Sequence, residues 1–391
     1  MNESSQSITP ALRKVLGRLL SFDTTSRESN LSLIHYIQGY LHQLDIESTL
    51  ILNEDKTKAN LYARLGPAGD GGIMLSGHTD VVPVDGQHWT LPPFQLTEQE
   101  NRCYGRGSAD MKGFLACVLE AIPHFQKTNL RLPLHLSFSY DEEVGCLGVR
   151  SLIEHIKASP EKPMLCLIGE PTEMKPVYGH KGKVAMRCKV HGHACHSAYA
   201  PEGVNAVEYA AKLIHHVTQL AEPLKHQLDE RFSPPYSTLH TGVIHGGTAL
   251  NIVPDNCYFD MEMRYLPKTD AAQTFQSLFN YAQNTLQPDM QTIQPHTHIE
   301  FETLSAYPAL LTDPQSEYAQ WLASWCQNEH FETVPYGTEG GLFDEAGVAT
   351  LICGPGSMDQ GHKADEYVTY EQLNRCSNMI ENLRMWMQQN L

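Results

Sequence analysis

The chain has 391 residues, which is long for one core, so two domains are expected. Hydrophobic residues make up 41% and charged residues 19%, an ordinary globular balance. No apolar run approaches the ~18 residues of a membrane span, and a formal net charge of −17 disfavours nucleic acid, whose backbone rewards basic surfaces.

The first twenty residues lack a basic start leading into an apolar block, so no export signal is expected. ALRKVLGRLLSF reads instead as an amphipathic first helix. Ten cysteines are scattered without any C-x-x-C pair, which fits reduced thiols and a cytoplasmic location. Strands are expected at 60–66, 72–80, 132–143 and 163–170, with helices at 29–44, 111–127 and 146–157 between them. This alternation predicts an α/β domain with a mostly parallel sheet. From about Gly179 the rhythm changes. A strand (GKVAMRCKVHG), a helix (203–222), two strands, a helix (271–286) and a strand (HIEFETLSAYPAL) follow in the order β-α-β-β-α-β, that of a ferredoxin-like sandwich. A helix at 314–328, a strand at 349–353 and a helix at 370–390 then resume the first pattern. The expected organisation is a discontinuous catalytic domain, residues 1–178 and 308–391, with a domain at 179–307 inserted into it.

Open α/β sheets bind ligands beyond the carboxyl ends of their strands. There the sequence places His78 and Asp80, then Asp141, Glu142 and Glu143, then Glu170, and beyond the last strand His362. Asp110 precedes the helix that starts near Met111. Taken singly, each has a plainer reading: a turn, a solvated loop or a helix cap. Together, so many acids along one sheet edge would repel each other unless a cation bound there. Imidazole with carboxylate suits zinc, with manganese or cobalt as alternatives, and two ions could share one carboxylate.

The stretches SGHTDVVP, GRGSADMKG, SYDEEVGCLGVR, GEPT, GHACHSA and GPGSMDQGHKADEYV together resemble the two-metal aminoacylase and carboxypeptidase family, in order and over nearly the whole chain. The resemblance implies two divalent ions, zinc first and cobalt second. Asp110 would bridge them, with His78 and Glu170 on one ion and Glu143 and His362 on the other. Glu142 would be the general base, and Asp80 would hold the His78 ring. The inserted domain would be a dimerisation domain, and His196 would reach the partner subunit's site to stabilise an oxyanion. Asn251, Arg264 and the Gly354 loop would contact substrate, Arg264 through its carboxylate, and Glu339 would meet a distal amine. The expected function is hydrolysis of a small N-acyl amino acid, N2-acetyl-ornithine first, yielding ornithine and acetate for arginine biosynthesis. Desuccinylation of succinyl-diaminopimelate, other N-acyl-amino-acid hydrolysis and dipeptide cleavage are the alternatives. A non-catalytic dimeric binding protein is the reading from another class, but Asp110 and Glu142 are both present. No G-x-S-x-G elbow favours a serine hydrolase.

Overall fold

The computed structural model describes residues 7–389. The chain divides into two compact units. The first holds the residues up to Gly179, Leu310–Thr333 and those from Thr338 onward; the second holds His180–Ala309 and Val334–Gly337.

In chain order the first unit begins with α1 (Pro10–Leu20), α2 (Leu31–His42), β1 (Ser48–Leu52), β2 (Ala59–Leu65) and β3 (Ile73–His78). Then come β4 (Thr97–Gln99), β5 (Arg102–Tyr104), α3 (Lys112–Gln126), β6 (Leu134–Ser139), α4 (Val149–Ala158), β7 (Leu165–Pro171) and β8 (Val177–His180). Helix α1 starts where Thr9 accepts from the Leu12 amide and Pro10 fills the first turn, and it buries Leu12, Val15, Leu16, Leu19 and Leu20.

The second unit contains β9 (Gly182–His191), α5 (Ala206–Leu224), β10 (Thr238–Gly246), β11 (Asn256–Tyr265), α6 (Ala271–Tyr281), α7 (Gln287–Ile293) and β12 (His298–Tyr307). Its sheet runs β10-β11-β9-β12, with every pairing antiparallel, the strand order of a ferredoxin-like fold. The helix expected at 271–286 goes further: a π-helical turn at Ala282–Leu286 links α6 to α7. One face of the sheet buries Met186, Cys188, Val190, Phe259, Met261 and Met263 in a shared core with α5 and α6.

The chain closes with β13 (Leu310–Leu311), α8 (Glu317–Cys326), β14 (Glu332–Val334), α9 (Gly340–Glu345), β15 (Ala349–Gly354), β16 (Tyr367–Thr369) and α10 (Tyr370–Gln389). The large sheet runs β1-β2-β6-β3-β7-β15-β8-β13, with β14 on β8. Its centre, β6-β3-β7-β15, is parallel; β1, β2 and β8 join antiparallel at the flanks. β3, β6 and β7 are buried along their whole length, as strands covered on both faces are. Helix α3 lies on β3 and β7 so closely that a Cβ on Gly169 would fall 1.9 Å from the Phe114 ring. A small sheet, β16-β5-β4, stands apart from the large one. No helix among the described residues is long and apolar enough to cross a membrane, and the ten cysteines there are free.

Candidate metal centre

The parallel strands β3 and β7 bring His78 and Glu170 to one edge of the large sheet. The chain leaving β6 adds Glu142 and Glu143 after a sharp turn in which Asp141 takes φ +54°. Lys58 Nζ anchors that turn at 2.6 Å from Asp141 Oδ1. His362 enters from the loop beyond β15, also at positive φ, with its carbonyl held by Gln87 Nε2 at 2.9 Å. Asp110 comes from the turn before α3, and its peptide bond to Met111 is cis.

Asp110 stands between the two histidines. Its Oδ1 is 3.1 Å from His78 Nε2, and its Oδ2 is 3.1 Å from His362 Nε2. Glu170 Oε1 lies 3.7 Å from His78 Nε2, and Glu143 Oε2 lies 3.0 Å from His362 Nε2. Two triads each bring one ligand atom per residue within 4.8 Å of one another: His78, Asp110, Glu143 and His78, Glu142, Glu170.

Burial pushes Glu142, Glu143 and Glu170 above the usual carboxylate range, Glu143 to about 7, and repulsion among the acids adds to it. Burial also works against the Asp110 carboxylate, yet hydrogen bonds from His362 and His78 hold it below the usual range. The same contacts lift His362 to about 11 and, against the burial of its ring, carry His78 well above its ordinary value. Without ions these shifts favour retained protons, which offset repulsion among the acids. Glu143 Oε1 is buried and accepts no hydrogen bond, a lone pair facing inward with nothing to bind. Such a donor set fits divalent cations of the zinc type.

Asp80 meets the His78 ring chiefly through its main chain. The His78 Nδ1 proton goes to the main-chain carbonyl of Asp80 at 2.9 Å, while its carboxylate oxygen is 3.6 Å from that nitrogen. A carbonyl only accepts, so this bond still fixes the proton on Nδ1 and points Nε2 at the cluster. The Asp80 carboxylate takes the Ser26 hydroxyl at 2.7 Å and the amides of Glu142 and Glu143 at 3.1 and 3.2 Å. It thus sets the turn carrying both glutamates.

Sequence reasoning overlooked Glu366. Fully buried, it accepts from the amides of Gly107, Ala109 and Asp110 at 3.1, 2.9 and 3.0 Å and from Arg106 Nη1 at 2.6 Å. The turn presenting Asp110 is built around this carboxylate. Arg106 extends the network to Gln87 at 2.6 Å, which in turn holds His362. Next to Asp365 and three residues after Lys363, Glu366 reads in sequence as an ordinary loop acid.

Glu339 lies in the first unit, 1% exposed, at the start of α9. Burial pushes it to about 7, and its Oε1 makes no hydrogen bond. The Gly354 carbonyl accepts from the Thr172 and Met174 amides, and its N–H donates to Thr172 Oγ1 at 3.2 Å. In the second unit His196 is exposed, and its Nδ1 accepts from the Ala198 amide at 3.1 Å, leaving Nε2 to carry the proton. Asn251 is its neighbour there, its carbonyl accepting from the Ser197 amide at 3.0 Å. The Arg264 guanidinium is already engaged, with Glu262 at 2.7 Å and the Tyr307 hydroxyl at 2.8 Å.

The chain resembles the acetylornithine deacetylase of Myxococcus xanthus, 34% identical over 95% of this chain and 96% of that one. It likewise resembles that of Aliivibrio salmonicida, 35% identical over 93% of each. An M20 family metallo-carboxypeptidase from Sulfolobus solfataricus has the same fold, with a TM-score of 0.78 at 18% identity over 97% of this chain and all of the other. The aminopeptidase PepT of Bacillus cereus follows at a TM-score of 0.73 and 18% identity, over 96% of this chain and 98% of that one. The profile of Peptidase family M20/M25/M40 matches residues 74–385, a stretch that runs from β3 through His362 into α10, and by that match the chain belongs to this family.

Proposed function

We propose that this protein is a two-metal amide hydrolase that releases acetate from N2-acetyl-ornithine. The observation carrying the metal reading is Asp110, with one oxygen directed to each histidine. It would bridge two ions, zinc first and cobalt second, with His78 and Glu170 on one and Glu143 and His362 on the other. When bound, the ions supply Lewis acidity toward water and toward the acyl carbonyl.

Glu142 is the group that takes a proton from the attacking water and returns it to the leaving amine. Its desolvation raises its pKa well above the ordinary carboxylate value, which suits an acid that must hold the proton between those steps. Asp80 positions it through the Glu142 amide. The choice of acyl group rests on the relatives named acetylornithine deacetylase. A second copy of the chain fits the β10 edge, where Val243, Ile244, Leu250 and Ile252 are exposed, and would bring its His196 as oxyanion donor. Asn251, Arg264 and the Gly354 loop are the proposed substrate contacts, with Glu339 toward a distal amine.

The test incubates zinc- or cobalt-loaded protein with a panel of N-acetyl, N-succinyl and dipeptide substrates and measures released amine. N2-acetyl-ornithine should be turned over with the highest kcat/KM. Preference for a succinylated or dipeptide substrate would replace the acyl assignment, and no turnover of any amide would overturn the hydrolase reading.

A further inference from the structure

Two H-x-H stretches remain outside this chemistry: His191-Gly192-His193 and His296-Thr297-His298. The fold of the second unit lays them side by side. His191 ends β9, His298 opens β12, and the two are register partners in that antiparallel pair. Their rings stack with centroids 4.4 Å apart and planes 16° apart, and the His193 and His296 rings meet edge to face at 5.2 Å. Glu300, two residues along β12 and so on the same face, places Oε1 3.0 Å from His298 Nε2 and Oε2 3.7 Å from His191 Nε2. Lys189, its register partner, is directed to Glu302 at 2.7 Å.

The tautomer of His298 sharpens this arrangement. Its Nδ1 is 3.2 Å from the His296 carbonyl and its Nε2 is 3.0 Å from Glu300 Oε1, and both oxygens only accept. A neutral ring has one N–H for these two acceptors, so one of its nitrogens is left with a lone pair facing an oxygen. His191 Nε2, also directed toward Glu300, is buried and makes no hydrogen bond. Ligand atoms of the two imidazoles and the carboxylate converge, all within 4.8 Å of one another, where a cation would satisfy them together.

We propose that His191, His298 and Glu300 form a second metal site, for a divalent transition ion of the zinc or nickel class. Two nitrogens and one carboxylate oxygen favour such ions over magnesium or calcium, which take oxygen ligands. The site shares no ligand with the His78–His362 cluster. Its ion would tie β12, the edge strand of its sheet, to β9. Metal there stabilises the folded second unit, because the unfolded chain offers no such preformed ligand set.

The experiment uses full-length protein stripped with a chelator and titrated with zinc, read by calorimetry and by bound metal after gel filtration. Wild type should retain one zinc more than His191→Ala/His298→Ala, with amide hydrolysis equal in both. In a His78→Ala/His362→Ala background, the remaining zinc should disappear when His298→Ala is added. If the double alanine variant fails to fold, Glu300→Gln at an exposed position gives the same comparison, with loss of the zinc-dependent rise in Tm. Equal zinc content and equal Tm response in wild type and variants would overturn the site, whatever the protein hydrolyses.

Discussion

Glu142 and Glu143 are adjacent in sequence and differ in their surroundings. Glu143 Oε2 is 3.0 Å from His362, whereas Glu142 Oε1 accepts from the Cys146 thiol at 3.4 Å. If Glu142 is the base and not a ligand, Glu142→Gln should lower kcat by ~10²–10⁴-fold. Bound metal, measured by atomic absorption, should stay at the wild-type level. Loss of an ion along with activity would make Glu142 a ligand, a role its place beside His78 and Glu170 also permits. The residue types at this edge were legible because so many acids and histidines along one sheet edge are the donor set a cation takes. What Asp80 does was not legible: its bond to His78 comes from a main-chain carbonyl, a group every residue carries.

At the scale of elements, the turn 107–110 depends on a residue more than 250 positions away. Arg106 and Glu366 form an ion pair at 2.6 Å with side chains 1% and 0% exposed, and the glutamate also satisfies three amides of the turn. Removing one partner of a buried pair leaves the other charge uncompensated. Glu366→Ala should therefore destabilise the fold by ~3–5 kcal/mol in urea unfolding. It should also weaken metal retention, since Asp110 loses the carboxylate that holds its amide. A change within about 0.5 kcal/mol, the range of ordinary surface substitutions, would remove Glu366 from this role. No local pattern announces such a contact, because it joins the turn before α3 to the loop after His362. The parallel core was legible for the opposite reason: β3, β6 and β7 are unbroken buried runs, and strand burial leaves a local signature. The flanking strand β2 was legible at 60–66 in the same way, whereas β1, β8 and the three-residue strands β4, β5 and β16 are too short to carry such a signature.

For the whole molecule, the ion-free centre imposes a pH dependence whose sign follows from the direction in which its groups are displaced. Glu143, raised to about 7, and His362, raised to about 11, both bind protons more tightly folded than unfolded. For such groups the folded state holds the extra proton, so stability falls as pH rises through the window between the unfolded and folded values. Glu143 covers about pH 4.5 to 7 and His362 about 6.5 to 11; Glu142, Glu170 and His78 move in the same direction. Buried bases elsewhere act oppositely, among them His180, lowered to about 4, Lys112, lowered to about 7, and Lys181, lowered to about 8, by burial in each case. None of these is a proposed ligand of the centre, so with the second site removed by His191→Ala/His298→Ala the difference between chelated and metal-loaded protein reads the centre. A tenfold change in proton affinity amounts to about 1.4 kcal/mol. The stability gap between loaded and chelated protein should widen steadily from pH 5 to pH 8, measured as the difference in urea midpoints. Ligand deprotonation, which strengthens metal binding as pH rises, adds in the same direction. Adding His78→Ala/His362→Ala to that background should collapse the widening; a gap that stays constant without these two substitutions would mean that protons do not take the place of ions in this cluster.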